Sequence, residues 1–320
     1  MPFLNRLAGP RPGPTGQPFV DARRRVQVHI EYLSPRSTGA MVEVVPGHER
    51  EAIAMNGSTY LLAGQESELE RLQLQSRVWE PGGRRLLAEI GDGRGARAVD
   101  VGCGVLGWLR LLSEWVGPEG EVVGTDIDEA MLAAAGRFVA DEGLGNVALR
   151  SDDLFASTLE PASFDVVHAR FELTPLGRGR EQMQTYVRLL RPGGTVVLED
   201  PDWGSWHFNP PAQAGEKLIG LIREAFARWG DADAGRTHLE LLRSFGIAGH
   251  VRAEILALPP GHPYLRLPLQ FATSLRARLL AFVDAGELER LRQEAEAELQ
   301  DPVRWGTTFT LLQSWGERTP

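Results

Sequence analysis

The stretch Ala98-Val99-Asp100-Val101-Gly102-Cys103-Gly104-Val105-Leu106-Gly107 reads as a short apolar strand entering a glycine-rich turn. Leu109, Leu112 and Val116 give the next segment, residues 105–116, an apolar stripe at helical spacing. Glycine is needed where the backbone turns tightly and a ligand approaches the helix start. Gly102, Gly104 and Gly107 spell G-x-G-x-x-G, and Asp126 closes the next strand about twenty residues later, where a ribose-binding acid belongs. Two ligands compete for such a turn, a nicotinamide dinucleotide and S-adenosylmethionine. Asp100 weighs between them, because a carboxylate just before the first glycine repels a pyrophosphate and suits a cationic ligand.

Outward from this turn, strand-like segments at 97–101, 121–126, 147–150, 164–169 and 195–199 are interleaved with helix-like ones at 105–116, 129–142 and 181–190. Repeated βα units imply an α/β domain, a mostly parallel sheet with helices on both faces. Residues 66–80 read as a helix that Pro81-Gly82-Gly83 breaks. After Asp200, long helical patterns at 212–229, 237–244 and 275–299 are separated by strand candidates at 251–256 and 307–315. Upstream, Val26, Val28, Ile30 and Tyr32 alternate with polar residues as in a half-buried strand, 41–45 is a pairing partner, and Asn56-Gly57 marks a hairpin turn. The expected organisation is an N-terminal arm with a small β extension, residues 1–58, then one domain over 59–320 with helical cap insertions at about 201–248 and 263–303.

Composition limits the partners. The chain has 320 residues, 34 Lys+Arg against 43 Asp+Glu and a formal charge of -9, with no basic stripe to neutralise phosphates, which disfavours nucleic acid. Cys103 is the single cysteine, so no internal disulfide and no multi-cysteine metal site is possible, and no metal-ligand spacing appears among the seven histidines. No segment reads as a signal peptide or a bilayer span, and the expectation is a soluble cytoplasmic protein without a membrane partner.

Several blocks together resemble the class I S-adenosylmethionine-dependent methyltransferases, small-molecule members of the quinone-biosynthesis type, from about Tyr60 to the C-terminus. Val99 to Gly104 is similar to their first motif. Val123-Gly124-Thr125-Asp126-Ile127-Asp128 resembles the second strand, Ser151-Asp152-Asp153-Leu154 the segment beside the adenine, and Phe164 to Arg170 the fourth strand. Leu189 to Glu199 resembles the following turn and fifth strand, and Thr307 to Gly316 the terminal antiparallel strand of a seven-stranded Rossmann-like sheet. The chain departs from the usual first motif in carrying Leu106 where glycine is commonest, with Gly107 one residue later.

The resemblance implies S-adenosylmethionine as cofactor, held by Asp100, Gly102, Cys103, Gly104, Asp126, Ile127, Asp152, Asp153, Leu154, Ala169 and Arg170. It also implies that Tyr60 and the 70–75 helix cover the ligand, with Arg71 or Gln75 on the methionine carboxylate; the alternative for that pair is a solvated polar face. Acceptor residues belong beyond the carboxyl ends of the strands, where Trp203, Trp206 and Phe208 offer an apolar wall. If the acceptor is a hydroxyl, His207 is the first candidate base and His168 the second. The expected activity is methyl transfer to oxygen or carbon of a small secondary or quinone-type metabolite. Rival readings are a non-methylating cyclisation or decarboxylation on the same scaffold, a nicotinamide dehydrogenase, and a non-catalytic cofactor-binding subunit. The N-terminal β segments are expected to serve a homodimer contact.

Overall fold

The computed structural model describes residues 28–32 and 66–319, side chains from Arg71 onward. Tyr60, the 41–45 strand and the Asn56-Gly57 turn lie outside the described residues. In chain order the elements are β1 (Val28–Tyr32), α1 (Glu66–Ile90), β2 (Arg97–Val101), α2 (Leu109–Val116), β3 (Glu121–Asp126), α3 (Glu129–Asp141), β4 (Val147–Ser151), β5 (Phe164–Arg170), α4 (Leu173–Leu176), α5 (Gly179–Leu189) and β6 (Leu190–Asp202). They continue with β7 (Phe208–Asn209), α6 (Gln213–Trp229), α7 (Ala234–Ser244), β8 (Gly249–Leu258), α8 (Leu267–Ser274), α9 (Arg276–Leu279), α10 (Ala285–Leu299), β9 (Trp305–Thr307) and β10 (Thr310–Glu317).

One sheet runs in the order β4-β3-β2-β5-β6-β10-β8-β9-β7, with β1 added beside β8. Strands β2 to β6 are mutually parallel, and β10 inserts antiparallel between β6 and β8. The expected α/β architecture holds, but the sheet is wider than the seven strands expected. Its extra members are the two short strands β9 and β7 and the N-terminal β1, which pairs parallel with β8.

A second correction concerns α1, which passes through Pro81-Gly82-Gly83 without breaking and ends at Ile90. Tertiary packing overrides propensity here. A Cβ on Gly82 would collide with the Glu254 carboxylate and one on Gly83 with Leu111 and Trp108, so the two glycines let the helix press against β8 and α2. The Arg252 guanidinium also donates to the Gly82 carbonyl at 2.7 Å. The 275–299 pattern likewise divides into α9 and α10, because Asp284 accepts from the Glu287 amide at 2.9 Å and starts a new helix there.

The helices after Asp200 build the second core. Trp203, Trp206, Phe226, Phe271 and Phe309 pack with Leu218, Leu288 and Leu291 between α6, α8, α10 and the β8–β10 end of the sheet. This core sits beyond the carboxyl ends of the parallel strands, and a cavity remains between it and the glycine turn.

Candidate functional site

Every glycine of the turn is needed for conformation: Gly102, Gly104 and Gly107 have φ of 64°, 53° and 39°. The turn is tied to β3 by the Cys103 amide on the Thr125 carbonyl at 2.8 Å and by the Gly104 amide on Asp126 Oδ2 at 3.0 Å. Asp126 Oδ1 accepts from the Asp128 amide at 2.9 Å, and burial raises the Asp126 carboxyl above the usual range against these two bonds. Gly107 answers the departure seen in the sequence. A Cβ there would strike the Asp100 carboxylate and lie 2.7 Å from the Cys103 carbonyl oxygen, so the third glycine stands where Asp100 closes the turn. The turn occupies the residues before Leu109, which is why α2 starts there and not at the expected residue 105.

Asp100 is committed inward. Its Oδ2 accepts from the Trp108 amide at 2.6 Å and its Oδ1 meets His168 Nδ1 at 2.7 Å. It lines the cavity, yet its first task is to hold the turn, which corrects the expectation of a carboxylate that simply greets a cation.

The cavity has a volume of about 600 Å³ and three chemically distinct ends. At the α1 end, Arg71 Nη1 donates to Gln75 Oε1 at 2.7 Å, and Arg170 Nη2 donates to Ser76 Oγ at 2.8 Å and to the Gly107 carbonyl at 3.1 Å. Arg170 lines this end with only 6% of its side chain exposed, and its buried Nη1 has no hydrogen-bond partner among the described residues. An orphaned buried guanidinium nitrogen is costly unless an anion completes it. At the β3–β4 end stand Asp126, Ile127, Asp152, Asp153 and Leu154. Asp152 Oδ1 accepts from Thr158 and Asp153 Oδ1 from the Phe155 amide, both at 2.8 Å. The third end is the aromatic chamber, where Phe171, Trp203, Phe226, Phe271 and Phe309 face the cavity.

The structure therefore gathers Arg71, Gln75, Asp100, Gly102, Cys103, Gly104, Asp126, Ile127, Asp152, Asp153, Leu154, Arg170 and Trp203 around one cavity. Ala169 is buried in β5 and does not line it. Trp206 and Phe208 are corrections: both are buried outside the lining, Trp206 against Trp203, Phe271 and Phe309, and Phe208 against Gly215. Neither histidine reaches the cavity. His207 is exposed, with Nε2 3.0 Å from the Gly204 carbonyl, because β7 turns its side chain out of the loop. His168 is completely buried behind the wall.

His168 belongs to a polar row that crosses the sheet. Its Nε2 lies 3.2 Å from Glu199 Oε2, Glu199 Oε1 accepts from Gln313, and Gln313 Oε1 accepts from Arg252 Nε and Nη2 at 3.0 and 2.8 Å. Arg252 Nη1 ends the row on Glu89 at 2.8 Å. The register sets it up, pairing Asp100 with His168, Glu199 with Gln313 and Gln313 with Arg252. Burial opposes the imidazolium, but Asp100 and then Glu199 outweigh it and hold His168 above its ordinary pKa. Burial likewise opposes the Glu199 anion, and His168, Arg170 and Gln313 together bring its carboxyl below the usual range.

Sequence reasoning missed Phe226, Phe271 and Phe309, which line the cavity, whereas Glu172, also in the lining, falls in the Arg170 to Leu176 stretch that the sequence marks for the acceptor without assigning it a role. Glu172 follows the fourth-strand block by two residues, and its closeness to Arg170 was the available signal. The three phenylalanines come from distant helices and a strand end, and no local pattern marks them.

Comparison with known proteins gives a consistent picture. The "Methyltransferase domain" family model matches residues 98–194. The chain is 33% identical over 237 residues to the nocamycin O-methyltransferase of Saccharothrix syringae, covering 74% of this chain and 77% of that protein. It is 40% identical over 107 residues to the demethylmenaquinone methyltransferase of Geobacillus kaustophilus, covering 33% of this chain and 46% of that protein. A solved S-adenosylmethionine-dependent methyltransferase from Aquifex aeolicus superposes with a TM-score of 0.47 at 21% identity, over 58% of this chain and 90% of its own. Among the described residues no helix is long and apolar enough to cross a membrane, and no cluster of His, Cys, Asp and Glu is placed to hold a metal ion.

Proposed function

The chain belongs to the class I S-adenosylmethionine-dependent methyltransferases, and from that premise we propose that it methylates an oxygen of a small, largely apolar metabolite seated in the aromatic chamber. The cofactor, when bound, supplies a methyl group on a positively charged sulfur. Arg170 Nη1 is the observation that fits it best, since a carboxylate at the α1 end would complete a guanidinium nitrogen that has no partner among the described residues. Arg71 and Gln75 flank the same position, and Asp126 offers its carboxylate to the ribose hydroxyls. Asp152, Asp153, Leu154 and Ile127 then surround the adenine.

The acceptor reading is carried by the chamber. Five aromatic rings next to the glycine turn exclude water and orient a flat or greasy molecule, and an in-line displacement draws most of its rate from such placement. Trp203 is central, fixed by its indole N–H on the Ala232 carbonyl at 3.0 Å and stacked 5.3 Å from Phe226. Oxygen is favoured over carbon by the O-methyltransferase relative that the chain matches over most of its length. A secondary metabolite handled in the cytoplasm is the natural acceptor class.

The test is turnover with trideuteriomethyl-labelled S-adenosylmethionine and a panel of phenols, enols and hydroxylated polyketides, with products located by mass and NMR. Label on a hydroxyl oxygen is the expected result. Label on carbon alone would sink the oxygen assignment.

A further inference from the structure

Glu172 is the one acid of the cavity to which nothing so far gives a task. It follows β5, starts α4, and lays its half-buried carboxyl across the neighbouring strand end, so that a Cβ on Gly102 would run into it. Among the described residues its carboxylate has no hydrogen bond and no ion pair. Around it stand Asp126 at the end of β3, Asp200 at the end of β6 and Asp100 at the end of β2. The neighbouring Tyr186 on α5 and Cys103 in the turn are neutral, and proximity to Glu172 helps to push both of their pKa values up.

The nearby nitrogen donors face other groups. His168 sits on Asp100 and Glu199, His238 Nε2 lies 3.1 Å from Asp200 Oδ2, and Arg170 Nη2 is on Ser76 and Gly107. Burial first, then the charges of Asp126, Asp200 and Asp100, drive the Glu172 carboxyl far above the ordinary carboxylate range. An unpartnered acid at the cavity wall, faced by three carboxylates, is thus biased toward its protonated form.

Its location gives that proton a use. Sheet order puts β2 between β3, which carries Asp126, and β5, which carries Arg170. Gly102 therefore lies between the ribose-binding acid and the carboxylate-binding guanidinium, which is where the sulfur of a bound cofactor must fall if the assignment above holds. We propose that Glu172 reads the sulfonium charge: its proton leaves to solvent as S-adenosylmethionine binds, and returns when the uncharged sulfur of the product takes that place. The proposal rests on the cofactor placement described above. Glu172 thereby favours cofactor over product.

Linkage makes this measurable without any acceptor. Purified full-length protein is titrated calorimetrically with S-adenosylmethionine and separately with S-adenosylhomocysteine, in pairs of buffers of different ionisation enthalpy, from about pH 5 to about pH 9. The sulfonium also lowers the basicity of the ligand's own α-amine, so the share of the difference that belongs to Glu172 is the part removed in Glu172→Gln. The expected result is greater proton release with S-adenosylmethionine, approaching about one proton, and an affinity ratio that rises with pH by at most about tenfold per unit. In Glu172→Gln the extra release and the pH slope shrink to what the ligands' own amines contribute. A proton release and pH slope that are the same in the wild type and in Glu172→Gln overturn the proposal while leaving the cofactor site standing. Failure of the wild type to bind either ligand overturns the cofactor placement and this inference together.

Discussion

The imidazole of His168 lies flat on the indole of Trp108, ring centroids 3.9 Å apart and planes 17° from parallel, while its two nitrogens face Asp100 and Glu199. Removing one partner of a buried charged set leaves the others uncompensated, which typically costs about 3–5 kcal/mol. His168→Ala should lose that much stability in denaturant unfolding at neutral pH, and a variant as stable as the wild type would show that the ring carries no charge. The sign with pH follows from the raised pKa of His168. Its contribution is complete below the unfolded value of about 6.5 and is lost as pH rises through the folded one. The wild type should therefore lose stability on the alkaline side more steeply than the variant.

Asp126 ties the turn to β3 and, in the cofactor placement proposed above, faces the ribose, so Asp126→Ala removes a charged hydrogen-bond acceptor that contributes about 1.5–3 kcal/mol. S-adenosylhomocysteine affinity should fall by roughly ten- to a hundredfold in calorimetry. Unchanged affinity would move the ribose elsewhere in the cavity.

Arg170 should discriminate by the amino-acid end of the ligand. Arg170→Met is expected to weaken S-adenosylhomocysteine by roughly ten- to a hundredfold and to leave methylthioadenosine, which lacks the carboxylate, within about threefold. Equal losses for both ligands would mean a collapsed pocket and would remove Arg170 from the carboxylate.

The readable part of this site was the part built by consecutive residues. Asp100, Gly102, Gly104 and Asp126 lie at strand ends whose βα alternation is strong, and a strand end fixes where a side chain must project. Where packing decides, local pattern misleads. Pro81-Gly82-Gly83 reads as a break, yet contacts with Glu254, Leu111 and Trp108 carry α1 through it. No local pattern marks His238, yet α7 turns it into the core between Asp200 and Ser314. The aromatic chamber draws on α6, α8 and the residue before β10, and only the folded chain joins them.

The two candidate bases invite a simple check. His207 is exposed and away from the cavity, so His207→Ala should leave methyl transfer within about twofold and stability within about 0.5 kcal/mol. A large loss of turnover in that variant would restore His207 to the chemistry.

Trp206 supports the chamber from behind, in ring contact with Trp203, Phe271 and Phe309. Trp206→Ala should cost about 3–5 kcal/mol of stability through the cavity it opens, read from denaturant unfolding at several temperatures. S-adenosylhomocysteine affinity in the folded variant should be unchanged, since none of the cofactor-facing residues touches that ring.

Cys103, the chain's single thiol, is 98% covered within the glycine turn, and burial, followed by the charges of Asp100, Asp126 and Glu172, holds it in the protonated form. Alkylating reagents attack the thiolate, so the closed turn is chemically silent toward them. Any label the protein does acquire marks a molecule whose turn has opened, and the rate of labelling becomes a clock for that opening, wired into the cofactor site by the sequence itself.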